Sequence, residues 1–98
     1  MNDTLLLNVD EWSELTSADV TNITFQNLTE CELLIQATAG SEPTTTDGSI
    51  VYSYTEGERN VAIADLFPGV SGAVRVWARP DNVPHDYMET AEVFVSHA

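Results

Sequence analysis

The sequence predicts an all-β fold, an antiparallel β-sandwich or barrel of about seven to eight short strands. Three observations carry this reading. Short windows alternate apolar and polar residues with period two. Gly, Pro, Asn and Asp recur between those windows about every ten residues, as in proteins built of strands and turns. No window repeats its apolar residues at helical spacing for more than about one turn.

The elements follow in chain order. Thr4 to Val9 reads as a first strand, and residues 1–11 together as an extended arm or edge strand. Trp12 to Leu15 is a second, short strand, or one helical turn capped by Asp10. Val20 to Asn27 alternates cleanly, with Ile23 and Phe25 on one face and Asn22, Thr24 and Gln26 on the other. Asn27 to Glu30 reads as a turn. Cys31 to Ala39 is the next strand: Cys31, Leu33, Ile35, Ala37 and Ala39 share its core face. Residues 40–48 (GSEPTTTDG) form an exposed loop. Ser49 to Thr55 is strongly β-prone and aligns Ile50, Tyr52 and Tyr54. Glu56 to Glu58 reads as a turn, and Arg59 to Leu66 as a strand with Val61 and Ile63 on one face. Pro68-Gly69 suits the centre of a type II turn. Ala73 to Arg79 is a strand, Pro80 to Tyr87 a second long loop, and Thr90 to Ser96 the last strand.

The 98 residues are read as one β-sandwich domain. One cysteine, Cys31, excludes an intrachain disulfide, which fits a reducing cytoplasm. Its apolar strand makes it a small core residue. No targeting segment is visible, and no apolar run approaches the roughly 20 residues of a membrane span.

The charge is lopsided: 16 acidic residues against three arginines, with no lysine and a net charge of −13. Such a chain repels phosphate backbones and anionic bilayers, so neither nucleic acid nor membrane is an expected partner. Two uses of the charge remain open: a solubilising surface, or attraction to a positive protein face.

Chemical motifs are scarce. His85 and His97 read as solvent-exposed and lack metal-ligand spacing. The 67–72 segment lacks the lysine of a phosphate loop. Asp81, Asn82 and Asp86 form the best calcium candidate, against a plain solvated turn. No nucleophile sits beside a base, so a hydrolase is not expected, and no cofactor is implied.

The most informative strand is Arg75-Val76-Trp77-Ala78-Arg79. Period two sends Val76 and Ala78 to the core and leaves Trp77 between two cations on the opposite face. Trp and Arg are the residues most enriched at interface hot spots. Arg75, Trp77 and Arg79 are therefore candidate partner contacts, unless the guanidiniums pair with carboxylates of this same chain. Trp12, in an acidic stretch, either plugs the core edge or anchors the arm on a neighbour.

The stretch Trp12 to Leu28 (WSELTSADVTNITFQNL), the TAG at Thr38 to Gly40, and Asp47 to Pro80 resemble small virion proteins of tailed bacteriophages, of the head-decoration or cement type. The Pro80 to Glu89 loop has no counterpart in that resemblance. It implies a non-enzymatic chain on the capsid exterior, made in the host bacterial cytoplasm. It further implies the major capsid protein as partner and self-association as a homotrimer. The rival reading is a carbohydrate- or receptor-binding module of a tail fibre or appendage, with exposed aromatics stacking on sugars.

Overall fold

A computed structural model describes residues 1–85 and 87–98. It contains eight strands: β1 Asn2–Asn8, β2 Ser13–Glu14, β3 Asn22–Asn27, β4 Glu32–Thr38, β5 Ile50–Tyr52, β6 Gly57–Ala62, β7 Arg75–Asp81 and β8 Thr90–Ser96. The strand expected over Arg59 to Leu66 starts earlier, at Gly57, and stops at Ala62; Ile63–Leu66 instead form one helical turn, α1.

The strands pair in a nested series: β4 with β5, β3 with β6, β2 with β7, and β1 with β8, all antiparallel. Such nesting describes one long hairpin ribbon. Two further pairings, β3 with β8 and β4 with β7, roll that ribbon into two sheets. The sheets have the orders β1-β8-β3-β6 and β2-β7-β4-β5. This is the jelly-roll arrangement of an eight-stranded β-sandwich.

The core lies between the four inner strands. Ile23 and Phe25 of β3, Leu33 and Ile35 of β4, Val76 and Ala78 of β7, and Val93 and Val95 of β8 are each no more than 1% exposed. Period-two alternation sends these pairs inward, as the sequence predicts. Phe25 meets Tyr52 edge to face, with ring centroids 4.9 Å apart. The Tyr52 hydroxyl donates to a Glu58 carboxylate oxygen at 3.0 Å. Burial, with that carboxylate beside it, pushes the phenol well above its ordinary pKa.

The chain passes between sheets at bends. Asp10, at φ 64°, turns it from β1 toward β2. Its N–H donates to the Pro80 carbonyl at 2.9 Å. In the β3–β6 pair the register shifts between Ile23 and Phe25, whose partners are Val61 and Glu58. Arg59 and Asn60 thus oppose Thr24 alone, which is a β-bulge. Asn60 takes φ 47° and donates its N–H to Thr24 Oγ1 at 2.8 Å.

Several sequence expectations need correction. Pro80 belongs to β7, not to a loop; it is buried opposite Leu33. The chain bends after Tyr52 and Thr38, so Tyr54 and Ala39 are exposed instead of aligned with the core. Asn27 is the fully buried last residue of β3, not a surface turn residue. The Phe67–Val70 turn is closed by Val70 N–H to Phe67 O at 3.1 Å. Gly69 lacks the positive φ that a type II turn demands; Gly72 has it, at φ 70°. His97 is 8% exposed, not solvated, and its Nε2 accepts the Ser17 N–H at 3.2 Å.

Candidate functional site: the outer face of the β2-β7-β4-β5 sheet

The alternation in β7 puts Arg75, Trp77 and Arg79 on the solvent side of this sheet, each half-buried, while Val76, Ala78 and Pro80 face inward. The strip read from the sequence therefore exists. Register places Glu14 of β2 and Gln36 of β4 on either side of Trp77. The next row sets Arg79 opposite Leu34 of β4, and Leu34 opposite Val51 of β5. Continuing the β2–β7 register by one residue brings Trp12 to Arg79.

The four candidate residues differ in what they have left to offer. Arg75 is satisfied within the chain. Its Nη1 reaches Glu14 at 2.9 Å and its Nε reaches Asp19 at 2.7 Å. It acts as an internal tie between β7 and the segment after β2, so its sequence assignment as a partner contact is not what its geometry favours. Trp77 donates its indole N–H to Thr38 Oγ1 at 3.0 Å, which fixes the ring against β4. Trp12 is half-buried and lies outside the core, whose plug in this segment is Leu15 at 1% exposure.

Arg79 is the exception. Its Nε is buried and finds no acceptor. Among the described residues the guanidinium forms no ion pair; the two ion pairs seen there both belong to Arg75. Yet Arg79 and Trp12 line one cleft of about 430 Å³ with Asp10, Glu11 and Glu42. The carboxylates surround the cation without contacting it. A buried donor left unmade costs about 1–3 kcal/mol, and an acceptor reaches this one only if the side chain shifts as a partner docks.

The other sequence candidates hold less. Asp81 Oδ1 accepts the Asn82 N–H at 2.9 Å, and the Asn82 amide reaches Glu32. These carboxylates serve the turn itself. Asp86, the third calcium candidate, lies outside the described residues. Among the described residues no three His, Cys, Asp or Glu side chains gather as a metal site would require. Cys31 is buried, and its thiol is pushed up in pKa chiefly by desolvation, which makes it a poor nucleophile. A depression of about 590 Å³ lies around Asp19, Asn60 and His97.

What the sequence missed is the company of Arg79. Leu34, on the outward side of β4, is only 8% exposed, whereas Val51 beside it is 47% exposed. The row Trp12–Arg79–Leu34–Val51 draws on three strands and the residue before β2, and no local pattern announces it. A comparison of the chain with protein-family models, curated proteins and solved structures finds no match.

Proposed function

We propose that this chain is a non-enzymatic structural protein of a tailed-bacteriophage head, a decoration protein that docks on the major capsid protein lattice and stabilises it. The observation that carries the reading is the Trp12–Arg79 corner. A cation with an unsatisfied buried donor, flanked by two tryptophans on a sheet face, has the composition of an interface hot spot. The jelly-roll arrangement supports the same class, since it recurs in viral capsid and lectin domains. The phage resemblance of the sequence points the same way. In this role the chain works by contact area, on the capsid exterior, after synthesis in the host bacterial cytoplasm.

Capsids assembled from the major capsid protein alone supply the test. The purified chain is expected to co-sediment with them. Arg79→Ala and Trp77→Ala should each weaken that attachment at least about tenfold. Arg79→Ala should leave the unfolding midpoint of the free chain nearly unchanged, because the lost side chain carries an unmade hydrogen bond. A wild-type chain that stays in the supernatant sinks the proposal. Trp77→Ala that unfolds the free chain returns Trp77 to a purely structural role.

The glycan- or receptor-binding alternative has its own observation. Leu6, Leu28, Tyr54 and Met88 line a cleft with Thr29 and Thr90. Tyr54 is 50% exposed, and His85 stacks on Tyr87 beside it with centroids 5.1 Å apart. Glycan-array binding lost in Tyr54→Ala, without capsid attachment, moves the assignment there.

A further inference from the structure

The second sheet has an outer face of a different kind. Burial patterns turn Asn, Thr, Gln and Ser outward along β1, β3 and β8, together with Leu6, which is 68% exposed. Half-buried Phe94 sits at the centre, opposite Thr4 on β1 and Gln26 on β3. A cleft of about 310 Å³ joins Phe94 to Thr24, Gln26, Gly57, Glu58 and Arg59. On a chain with net charge −13, the outward residues of these four strands carry one anion, Glu92, and one cation, Arg59; Glu58, beside Arg59, pairs with inward Phe25 and accepts the Tyr52 hydroxyl. Neither has an ion-pair partner among the described residues.

Their placement is diagonal. Glu92 lies two residues along β8 from Phe94, on the Leu6 side. Arg59 lies two strands away on β6, on the Thr24 side, where the bulge turns it outward. Strand spacings of about 4.8 Å and a rise of about 3.4 Å per residue put the two charges roughly 17 Å apart, with the Phe94–Gln26 pair between them.

We propose that this face binds a second copy of this chain about a two-fold axis passing near the Phe94–Gln26 pair. That axis lays Arg59 of each copy over Glu92 of the other and brings the two Phe94 rings together. A two-fold contact must be self-complementary, and a face with one charge of each sign on opposite sides of an aromatic meets that condition. It is also a surface on which two strongly anionic copies can approach without setting carboxylate against carboxylate. The face measures about 19 by 20 Å from the same spacings. That is roughly 400 Å² per copy, below the usual range of specific interfaces, so the dimer is weak and concentration-dependent. The inference does not depend on the capsid reading, and it replaces three-fold with two-fold self-association.

Sedimentation equilibrium across a wide concentration range tests it. The apparent mass should rise from 10.7 kDa toward twice that value and stop there. Arg59→Glu and Glu92→Arg should each raise the dissociation constant at least about tenfold, and the double variant should restore it. The two single changes shift net charge in opposite directions, so a global charge effect cannot mimic both losses. If Glu92→Arg strengthens association, net charge and not the pair governs it, and the proposal fails. A plateau at three copies, or a monomer throughout, also overturns it. Both positions are exposed, so the variants should keep the wild-type melting midpoint. Should one fail to fold, amide shifts of the wild type on dilution decide: changes must centre on Thr4, Gln26 and Phe94, and changes centred on Trp77 refute the proposal.

Discussion

Asn27 and Arg79 show how the same fold treats two polar side chains it has partly removed from water. Asn27 is fully buried and fully used. Its Nδ2 donates to the Cys31 carbonyl at 2.9 Å and to the Tyr52 carbonyl at 3.2 Å, while Oδ1 accepts the Thr29 N–H at 3.1 Å. One amide thus joins the end of β3 to the entry of β4 and the end of β5. Asn27→Ala leaves two buried carbonyls unmet and is expected to cost about 2–4 kcal/mol in urea unfolding. Asn27→Asp should cost more at pH 7, because a carboxylate then faces two carbonyl oxygens. Folding would raise the pKa of that carboxyl above its unfolded value of about 3.9. The excess loss over the alanine variant should therefore be absent below pH 4 and appear as pH rises. An aspartate variant as stable as wild type at pH 7 contradicts this account. Arg79 has no comparable internal partner for its Nε, and that difference separates a polar group the fold uses fully from one it leaves unmet.

At the scale of elements, the faces of the strands were legible in the sequence and their neighbours were not. Period two is a local property, so Ile23 with Phe25, and Val76 with Ala78, could be assigned inward from sequence alone. A local reading places Pro80 in a loop, because a proline inside a strand normally argues against one. Here β7 continues through it, and its carbonyl takes the Asp10 N–H that a local reading cannot supply. The candidate strip was half legible for the same reason. Arg75, Trp77 and Arg79 share a strand, but Arg75 is neutralised by Asp19, 56 residues away in sequence. Close approach also decides Gly57, where β6 begins. A Cβ there would lie 1.9 Å from the Phe25 carbonyl oxygen, so backbone must move to admit it. Gly57→Ala should cost at least about 2 kcal/mol by this overpacking and strip amide-exchange protection from β6 first. Gly69→Ala is the control: its Cβ meets nothing within 4 Å and its φ is not positive, so it should stay within about 0.5 kcal/mol of wild type. Equal losses in the two variants remove the explanation.

At the scale of the whole molecule, the distribution of charge matters more than its total. Asp10, Glu11, Asp19, Glu30, Glu42 and Asp47 all lie in connections outside the strands. The outward residues of β1, β3, β6 and β8 carry one charge of each sign, so much of the acidity gathers at the rims of the sandwich. Two opposing salt effects follow. Screening weakens the Arg75 ion pairs, which are surface contacts worth about 0.2–1 kcal/mol each. Screening also relieves repulsion among 16 carboxylates that only three arginines offset. The second effect involves many more pairs, and it reaches further at low salt, where the Debye length is about 30 Å at 0.01 M against about 10 Å at 0.1 M. Stability should therefore rise with salt. Between 10 mM and 500 mM sodium chloride the calorimetric midpoint should climb by about 5 °C or more, which for a chain of this length corresponds to roughly 1 kcal/mol. Sodium chloride must be the salt, since sulfate would strengthen apolar burial as well. The same scan in sucrose at matched osmolality separates charge screening from general exclusion effects. A midpoint that stays flat or falls with sodium chloride would mean that the rims hold their carboxylates far enough apart for water alone to screen them.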